Sequence, residues 1–184
     1  LFAALFAAGF AGCGGGPRTY TVVDGTMLGT TLHVVADVEG VSSQELYAAV
    51  MELDREAKAS MSIFDPASLL SRLNRNETDS VDRHIAFNLR LADSIGALSG
   101  GRYDVTVKPL VEAWGFAGKA AQAHPNVDSI LDFVGREKVR IERGRLVKSD
   151  PRVQLDFNSV AKGYTVDLLA ELVERFGAEN YIVD

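Results

Sequence analysis

The sequence predicts a single α+β domain, in which a mixed β-sheet packs against helices and the carboxyl end is incomplete. Short segments rich in β-branched residues and bounded by glycine turns predict the strands. Longer segments with apolar residues at helical spacing predict the helices. With 184 residues, 47% apolar and 24% charged, the chain can form one sizeable core.

The first elements of the domain are two strands and a helix. Residues 19–23 and 31–36 are predicted strands, joined by a glycine-containing turn over residues 24–29. Ser43 can cap a helix that continues to about Ser60. The apolar stripe of this helix consists of Leu46, Val50, Leu53 and Ala57.

A second helix ends at the glycine pair 100–101, where a left-handed residue costs least. Its apolar stripe consists of Ile85, Leu89, Ala92 and Ile95. Residues 103–107 look extended, and Asn126 can cap a third, short helix. Residues 138–142 and 145–148 flank an Arg-Gly turn, which predicts a hairpin.

The last part of the chain carries a predicted strand, helix and strand. Residues 153–157 form the first of these strands, the helix covers residues 159–176, and residues 180–183 form the final strand. A final strand with no continuation leaves an open sheet edge, which a folded protein normally covers. We therefore expect the domain to be truncated at its carboxyl end.

The amino-terminal residues 1–17 are predicted to be an export signal and tether, separate from the domain at 18–184. Residues 1–12 are uncharged and too short to span a bilayer, but they fit the apolar core of a signal peptide. The only cysteine, Cys13, follows two small residues and is a candidate lipid-attachment site. The alternative is a cleaved signal with an incidental cysteine. The lipid anchor predicts a bacterial cell-envelope protein facing the periplasm or the exterior.

The most informative segment covers residues 153–167, a predicted strand-to-helix junction. Unpaired amides at a helix start can bind an anion, and Lys162 lies one turn into the helix. Asp156 lies at the predicted strand end, and Ser159 can offer Mg²⁺ a hydroxyl or carbonyl oxygen. The alternative is a plain junction capped by Asn158 or Ser159, with Lys162 solvated.

Other segments carry weaker signals. In residues 99–116, Trp114 and Phe116 could form a pocket wall for a flat ring or could simply pack in the core. The three histidines lack metal-site spacing. A net charge of −6, without a cluster of basic and aromatic residues, argues against a nucleic-acid partner.

Taken in order, four segments resemble the ApbE-type family of FAD:protein FMN transferases. The family's Met-Gly-Thr loop corresponds to residues 28–30, with Leu28 or Met27 at the flavin-contacting position, and Leu28 aligns without an insertion. The Met-Ser-x-Tyr motif corresponds to residues 61–64, where Phe64 replaces tyrosine. The later motifs correspond to residues 101–116 and 153–167.

The resemblance implies a T-fold-like domain and assigns site residues. The implied FAD contacts are Leu28, Phe64, Arg102, Tyr103, Asp104, Asp156 and Lys162. Ser159 falls on a Mg²⁺-ligand position, and the catalytic groups are expected beyond Asp184.

The implied reaction uses FAD as a substrate. A threonine of an acceptor protein would receive FMN, with Mg²⁺ as cofactor and AMP as leaving group. The alternatives are FAD hydrolysis by water, a flavin-binding or flavin-delivering lipoprotein without turnover, and an adhesion or scaffold domain that binds no flavin.

Overall fold

The computed structural model describes residues 18–116 and 118–184, and it confirms the α+β class. The predicted signal and Cys13 lie outside the described residues. The strands are β1 (Thr21–Met27), β2 (Thr30–Ala36), β3 (Val139–Glu142), β4 (Arg145–Lys148) and β5 (Tyr181–Val183). The helices are α1 (Ser43–Met61), α2 (Leu69–Asn74), α3 (Arg83–Leu98), α4 (Lys108–Ala113), α5 (Val127–Leu131) and α6 (Asn158–Arg175).

The main sheet has the strand order β1-β2-β5, and both of its pairings are antiparallel. The predicted first hairpin is confirmed, but its turn is only Leu28 and Gly29, because β1 continues to Met27. Both turn residues have positive φ, 48° and 77°, as tight two-residue hairpins require. The short turn places Leu28 at the tip of the hairpin.

The long helices α1 and α6 pack against this sheet, and α3 packs against both of them. Helix α1 contacts β1, α3 and α6, and α6 also contacts β5. The predicted stripe of α1 is buried throughout. The helix cap lies one residue earlier than expected, at Ser42, whose side chain and backbone exchange hydrogen bonds with Glu45 in a capping box. The amphipathic spacing therefore predicted this layer correctly.

The predicted strand at residues 153–157 is wrong. Its only strand-type pairing is an isolated parallel bridge between Gln154 and Val107. The side-chain amide of Asn74 instead forms hydrogen bonds with both backbone groups of Leu155. It accepts from the Leu155 N–H at 2.7 Å and donates to the Leu155 carbonyl at 2.8 Å. A side-chain amide thus takes the place of a neighbouring strand.

Residues 103–107 also do not form the expected extended strand. The Asp104 carboxylate accepts from both the amide and the hydroxyl of Thr106, at 2.8 and 2.7 Å, and closes a turn. The short helix α4, which the sequence analysis did not predict, follows at once with Pro109 in its first turn. Among the described residues, all pairings between strands are antiparallel, and the only parallel pairing is one isolated bridge.

The second hairpin, β3–β4, and the cap of α5 at Asn126 are confirmed. Within residues 18–116 and 118–184, no helix is long and apolar enough to cross a membrane.

Candidate functional site

An open cleft of about 610 Å³ lies where the β1–β2 turn, the end of α1 and the start of α6 meet. It is lined by Leu28, Gly29, Lys58, Met61, Ser62, Phe64, Asp65, Asn158, Ala161 and Lys162. Three of the sequence-predicted site residues, Leu28, Phe64 and Lys162, are therefore brought together from segments far apart in the chain.

Phe64 forms an aromatic edge of the cleft. Its side chain is 67% exposed, so the ring is available to a ligand. The loop beneath it is well fixed, because the Ser62 hydroxyl accepts from the amides of Phe64 and Asp65 at 3.2 and 3.1 Å. The Ser62 carbonyl in turn accepts from the hydroxyls of Ser68 and Ser71. An exposed ring on a loop whose backbone is held by hydrogen bonds suits stacking against a flat ligand.

The start of α6 differs from the predicted junction. Phe157 is the cap residue and makes no side-chain cap hydrogen bond, so neither Asn158 nor Ser159 caps the helix. Instead, the buried Asp156 carboxylate accepts from the Asn158 amide at 2.8 Å. A carboxylate at this position is stabilised by the helix dipole. One of the amides expected to be available to an anion is therefore already occupied.

A second cluster lies on the other side of this helix start. The hydroxyls of Tyr103 and Ser159 are 2.8 Å apart and hydrogen-bonded. The amide of Asp156 donates to the Val105 carbonyl at 2.8 Å, which places the segment containing Asp104 beside the one containing Asp156. Arg102 precedes this cluster with an exposed side chain. The structure thus brings Tyr103 and the segment containing Asp104 to the same helix terminus, whereas no contact among the described residues places Arg102 there.

Lys58 is a cleft residue that the sequence analysis missed. Its ammonium pairs with the Asp54 carboxylate at 2.5 Å, and its side chain, which is 47% exposed, lines the cleft together with Lys162. The available signal was its position one turn before the Met-Ser motif, on the same helix. An isolated Asp-Lys pair at i,i+4 is too common on helices for that signal to be specific.

Of the two roles considered for Trp114 and Phe116, a pocket wall or core packing, the structure excludes core packing. Trp114 is 57% and Phe116 is 66% exposed, so neither is a core residue. Helix α4 ends at Ala113 with Trp114 as its C-cap residue, and Gly115 follows in a left-handed conformation with a φ of 84°. Neither ring lines the cleft.

The buried histidine His84 has structural partners. Its two ring nitrogens lie 2.9 Å from the Tyr164 hydroxyl and 3.1 Å from a Glu56 carboxylate oxygen. The hydrogen bond from His84 is the main reason that the pKa of Glu56 lies below its usual value. Burial raises the pKa of Tyr164. This network joins α1, α3 and α6 beneath the cleft.

The described residues offer Mg²⁺ an incomplete donor set. Ser159 supplies a hard oxygen, but its hydroxyl is hydrogen-bonded to Tyr103. No group of three histidine, cysteine, aspartate or glutamate side chains within 18–116 and 118–184 is placed to hold a metal ion. These residues alone do not fit the ion, since Mg²⁺ requires near-octahedral oxygen coordination.

The fold and the cleft define an α+β domain with an open cleft at a helix amino terminus, and two lysines are among the residues that line it. Residues 28–184 match the ApbE family, and the chain belongs to that family.

Relatives and solved structures agree with this assignment. The chain is 32% identical over 177 residues to the FAD:protein FMN transferase of Haemophilus influenzae, covering 88% of this chain and 51% of the relative. It is similar to the solved flavin transferase ApbE from Vibrio cholerae, with a TM-score of 0.84, 30% identity and coverage of 91% of this chain and 57% of that one. The apo flavinyl transferase ApbE of Pseudomonas stutzeri, at 24% identity and a TM-score of 0.83, supports the fold alone.

The chain spans about half the length of the curated relatives that it matches, from 51% in Haemophilus influenzae to 60% in Chlamydia pneumoniae.

Proposed function

We propose that this chain is the flavin-binding part of an FAD:protein FMN transferase. The observation that carries the proposal is the convergence of Leu28, Phe64 and Lys162 on one open cleft, in a member of a family whose curated relatives bear that name. The exposed ring of Phe64 offers a stacking surface for the flavin, and Lys162 offers a cation for its phosphates.

The proposed reaction transfers FMN to a threonine of an acceptor protein. The threonine oxygen forms a bond to the FMN phosphorus of FAD, the pyrophosphate P–O bond breaks, and AMP leaves with the bridging oxygen. The hydroxyl proton passes to a base that we do not assign within this chain. Such phosphoryl chemistry depends mainly on positioning and on neutralisation of charge. We therefore assign the described residues to substrate binding.

We further propose that the reaction requires Mg²⁺, with Ser159 contributing one oxygen ligand by its hydroxyl or carbonyl. The metal would neutralise charge on the pyrophosphate. Because the described donor set is incomplete, the other ligands are expected from residues beyond Asp184, and we derive no step through the ion.

We also propose that the protein is anchored in the bacterial cell envelope by a lipid on Cys13. The anchor would place the cleft near exported or membrane-bound acceptors. Mass spectrometry of the purified amino terminus tests this proposal directly. An unmodified Cys13, or a mature chain that starts after it, would contradict the proposal.

The test of transfer uses the complete gene product with FAD, Mg²⁺ and a threonine-containing acceptor. We expect an FMN adduct on the acceptor by mass spectrometry, one AMP per adduct, no adduct when the acceptor threonine is replaced by valine, and loss of turnover with EDTA. Free FMN without an adduct would indicate hydrolysis instead. FAD that remains bound and intact would indicate a flavin carrier. Absence of flavin binding would indicate an adhesion or scaffold domain.

A further inference from the structure

A buried carboxylate on α1 connects two parts of the cleft wall. Asp54 is only 8% exposed, yet it lies on a helix face otherwise occupied by apolar residues such as Leu53 and Ala57. Its Oδ1 accepts from the Leu28 amide at 3.0 Å, and its Oδ2 accepts from the Lys58 ammonium at 2.5 Å. Both partners line the cleft, whereas Asp54 does not.

The contact with Leu28 offsets a local conflict in the hairpin turn. Leu28 has a φ of 48°, a left-handed conformation that a leucine rarely adopts. Two-residue turns of this kind favour Asn-Gly or Asp-Gly, and leucine has no side-chain polar group to support the turn. The hydrogen bond that the Leu28 amide donates to the Asp54 carboxylate supplies that support from outside the hairpin, which allows an apolar side chain at the hairpin tip.

The contact with Lys58 restricts a flexible cation. An ammonium has three N–H donors, and Asp54 takes one of them. The pair spans i,i+4 on α1, so the lysine stem lies along one helical turn and its ammonium is held beside Asp54. Lys58 and Lys162 both line the cleft, one from α1 and one from α6. An anionic ligand in the cleft can therefore receive donors from both helices.

We infer that Asp54 is a positioning residue for the cleft and that Lys58 is a binding residue for phosphate oxygens of its ligand. The inference rests on the proposed function, because it takes the pyrophosphate of FAD as the anion between Lys58 and Lys162. Asp54 acts through its two partners and does not touch the ligand. One carboxylate thereby fixes both the apolar contact from Leu28 and the cationic contact from Lys58.

Three substitutions separate the two roles. Asp54→Ala removes both hydrogen bonds. Asp54→Asn retains an acceptor for the Leu28 amide but cannot pair with the ammonium of Lys58. Lys58→Met removes the ammonium while leaving the Leu28 contact. Glu52→Gln is the matched control, because Glu52 forms an exposed ion pair with Arg55 on the same helix and lies away from the cleft.

The readouts are the Kd for FAD from flavin fluorescence, KM and kcat for FMN transfer, and the thermal midpoint. We expect Asp54→Ala to raise the Kd and KM for FAD about tenfold, as loss of one charged hydrogen bond would, with kcat within about threefold. Asp54→Asn and Lys58→Met should have similar, smaller effects. Their combination should be less than additive, because both act through the same ammonium. Glu52→Gln should match wild type.

A purely structural role for Asp54 would lower the thermal midpoint but leave the Kd of the folded protein unchanged, and that result would overturn the inference. Wild-type affinity in Lys58→Met would also overturn it. If Asp54→Ala does not fold, Asp54→Asn and Lys58→Met still decide the question. A wild-type protein that binds no FAD overturns the proposed function together with the inference, whereas unchanged variants of a wild type that binds and transfers FMN overturn the inference alone.

Discussion

The stability of the segment before α6 should depend strongly on the side-chain amide of Asn74. Asn74 is buried at the end of α2 and forms two hydrogen bonds with the backbone of Leu155, which is also buried. Asn74→Ala removes both bonds and leaves a buried N–H and a buried carbonyl without partners. Each buried group left unsatisfied costs about 1–3 kcal/mol, a cost that already includes the lost hydrogen bond. For the two groups we therefore expect a loss of about 2–6 kcal/mol in the free energy of unfolding.

Urea denaturation followed by circular dichroism measures this loss. Arg72→Ala is the control, because Arg72 is exposed on the same helix, and such surface changes stay within about 0.5 kcal/mol. The amide of Leu155 should also exchange faster with solvent deuterium in Asn74→Ala. A loss below about 1 kcal/mol, with exchange at Leu155 unchanged, would refute the assignment of Asn74 as the substitute for a neighbouring strand.

Three further predictions concern stability. Ser42→Ala breaks the capping box with Glu45 and should cost about 1 kcal/mol in chemical denaturation, and no loss would contradict the cap. Burial lowers the pKa of Lys148 to about 8 from its ordinary 10.5, so the unfolded state binds more protons between these values and stability rises with pH. Between pH 7 and pH 10, wild type should gain about 1 kcal/mol relative to Lys148→Met, after allowance for solvent screening of this half-buried group, and equal pH profiles would contradict this. Gly115→Ala should lower the thermal midpoint, because a Cβ there would lie 2.8 Å from the Ala121 backbone nitrogen at a φ of 84°, and an unchanged midpoint would exclude the clash.

The helices and hairpins that face the core could be predicted because their signals are local. The i,i+4 stripe of α1 and the β-branched runs of β1 and β2 indicate which face of each element is buried. The ends of the helices were predicted less accurately. The cap of α1 is Ser42 and not the predicted Ser43, because two neighbouring serines can both serve as caps. The hydrogen bonds of the Ser42–Glu45 box distinguish them only in three dimensions.

The errors arose where long-range partners decide the structure. Residues 153–157 have the composition of a strand. The sequence does not reveal that an amide side chain 81 residues away forms hydrogen bonds with the backbone of Leu155. Tryptophan is usually a core residue, but Trp114 is exposed at the C-cap of a short helix that the sequence analysis did not predict. Both outcomes depend on neighbours that periodicity cannot identify.

The cleft was partly predictable. The order of the four motifs indicated Leu28, Phe64 and Lys162, and the structure places them on one cleft. Lys58 and its partner Asp54 were not predicted, because an Asp-Lys pair at helical spacing usually lies on a solvated face. Only the contact with Leu28, contributed by the hairpin, distinguishes this pair.

The central claim is that FAD binds between the hairpin turn at Leu28 and the start of α6. A crystal structure of the complete gene product with FAD tests it most directly. The flavin ring should contact Phe64 and Leu28, and the phosphates should lie within hydrogen-bonding distance of Lys162. FAD bound at another surface, with this cleft occupied only by solvent, would contradict the account.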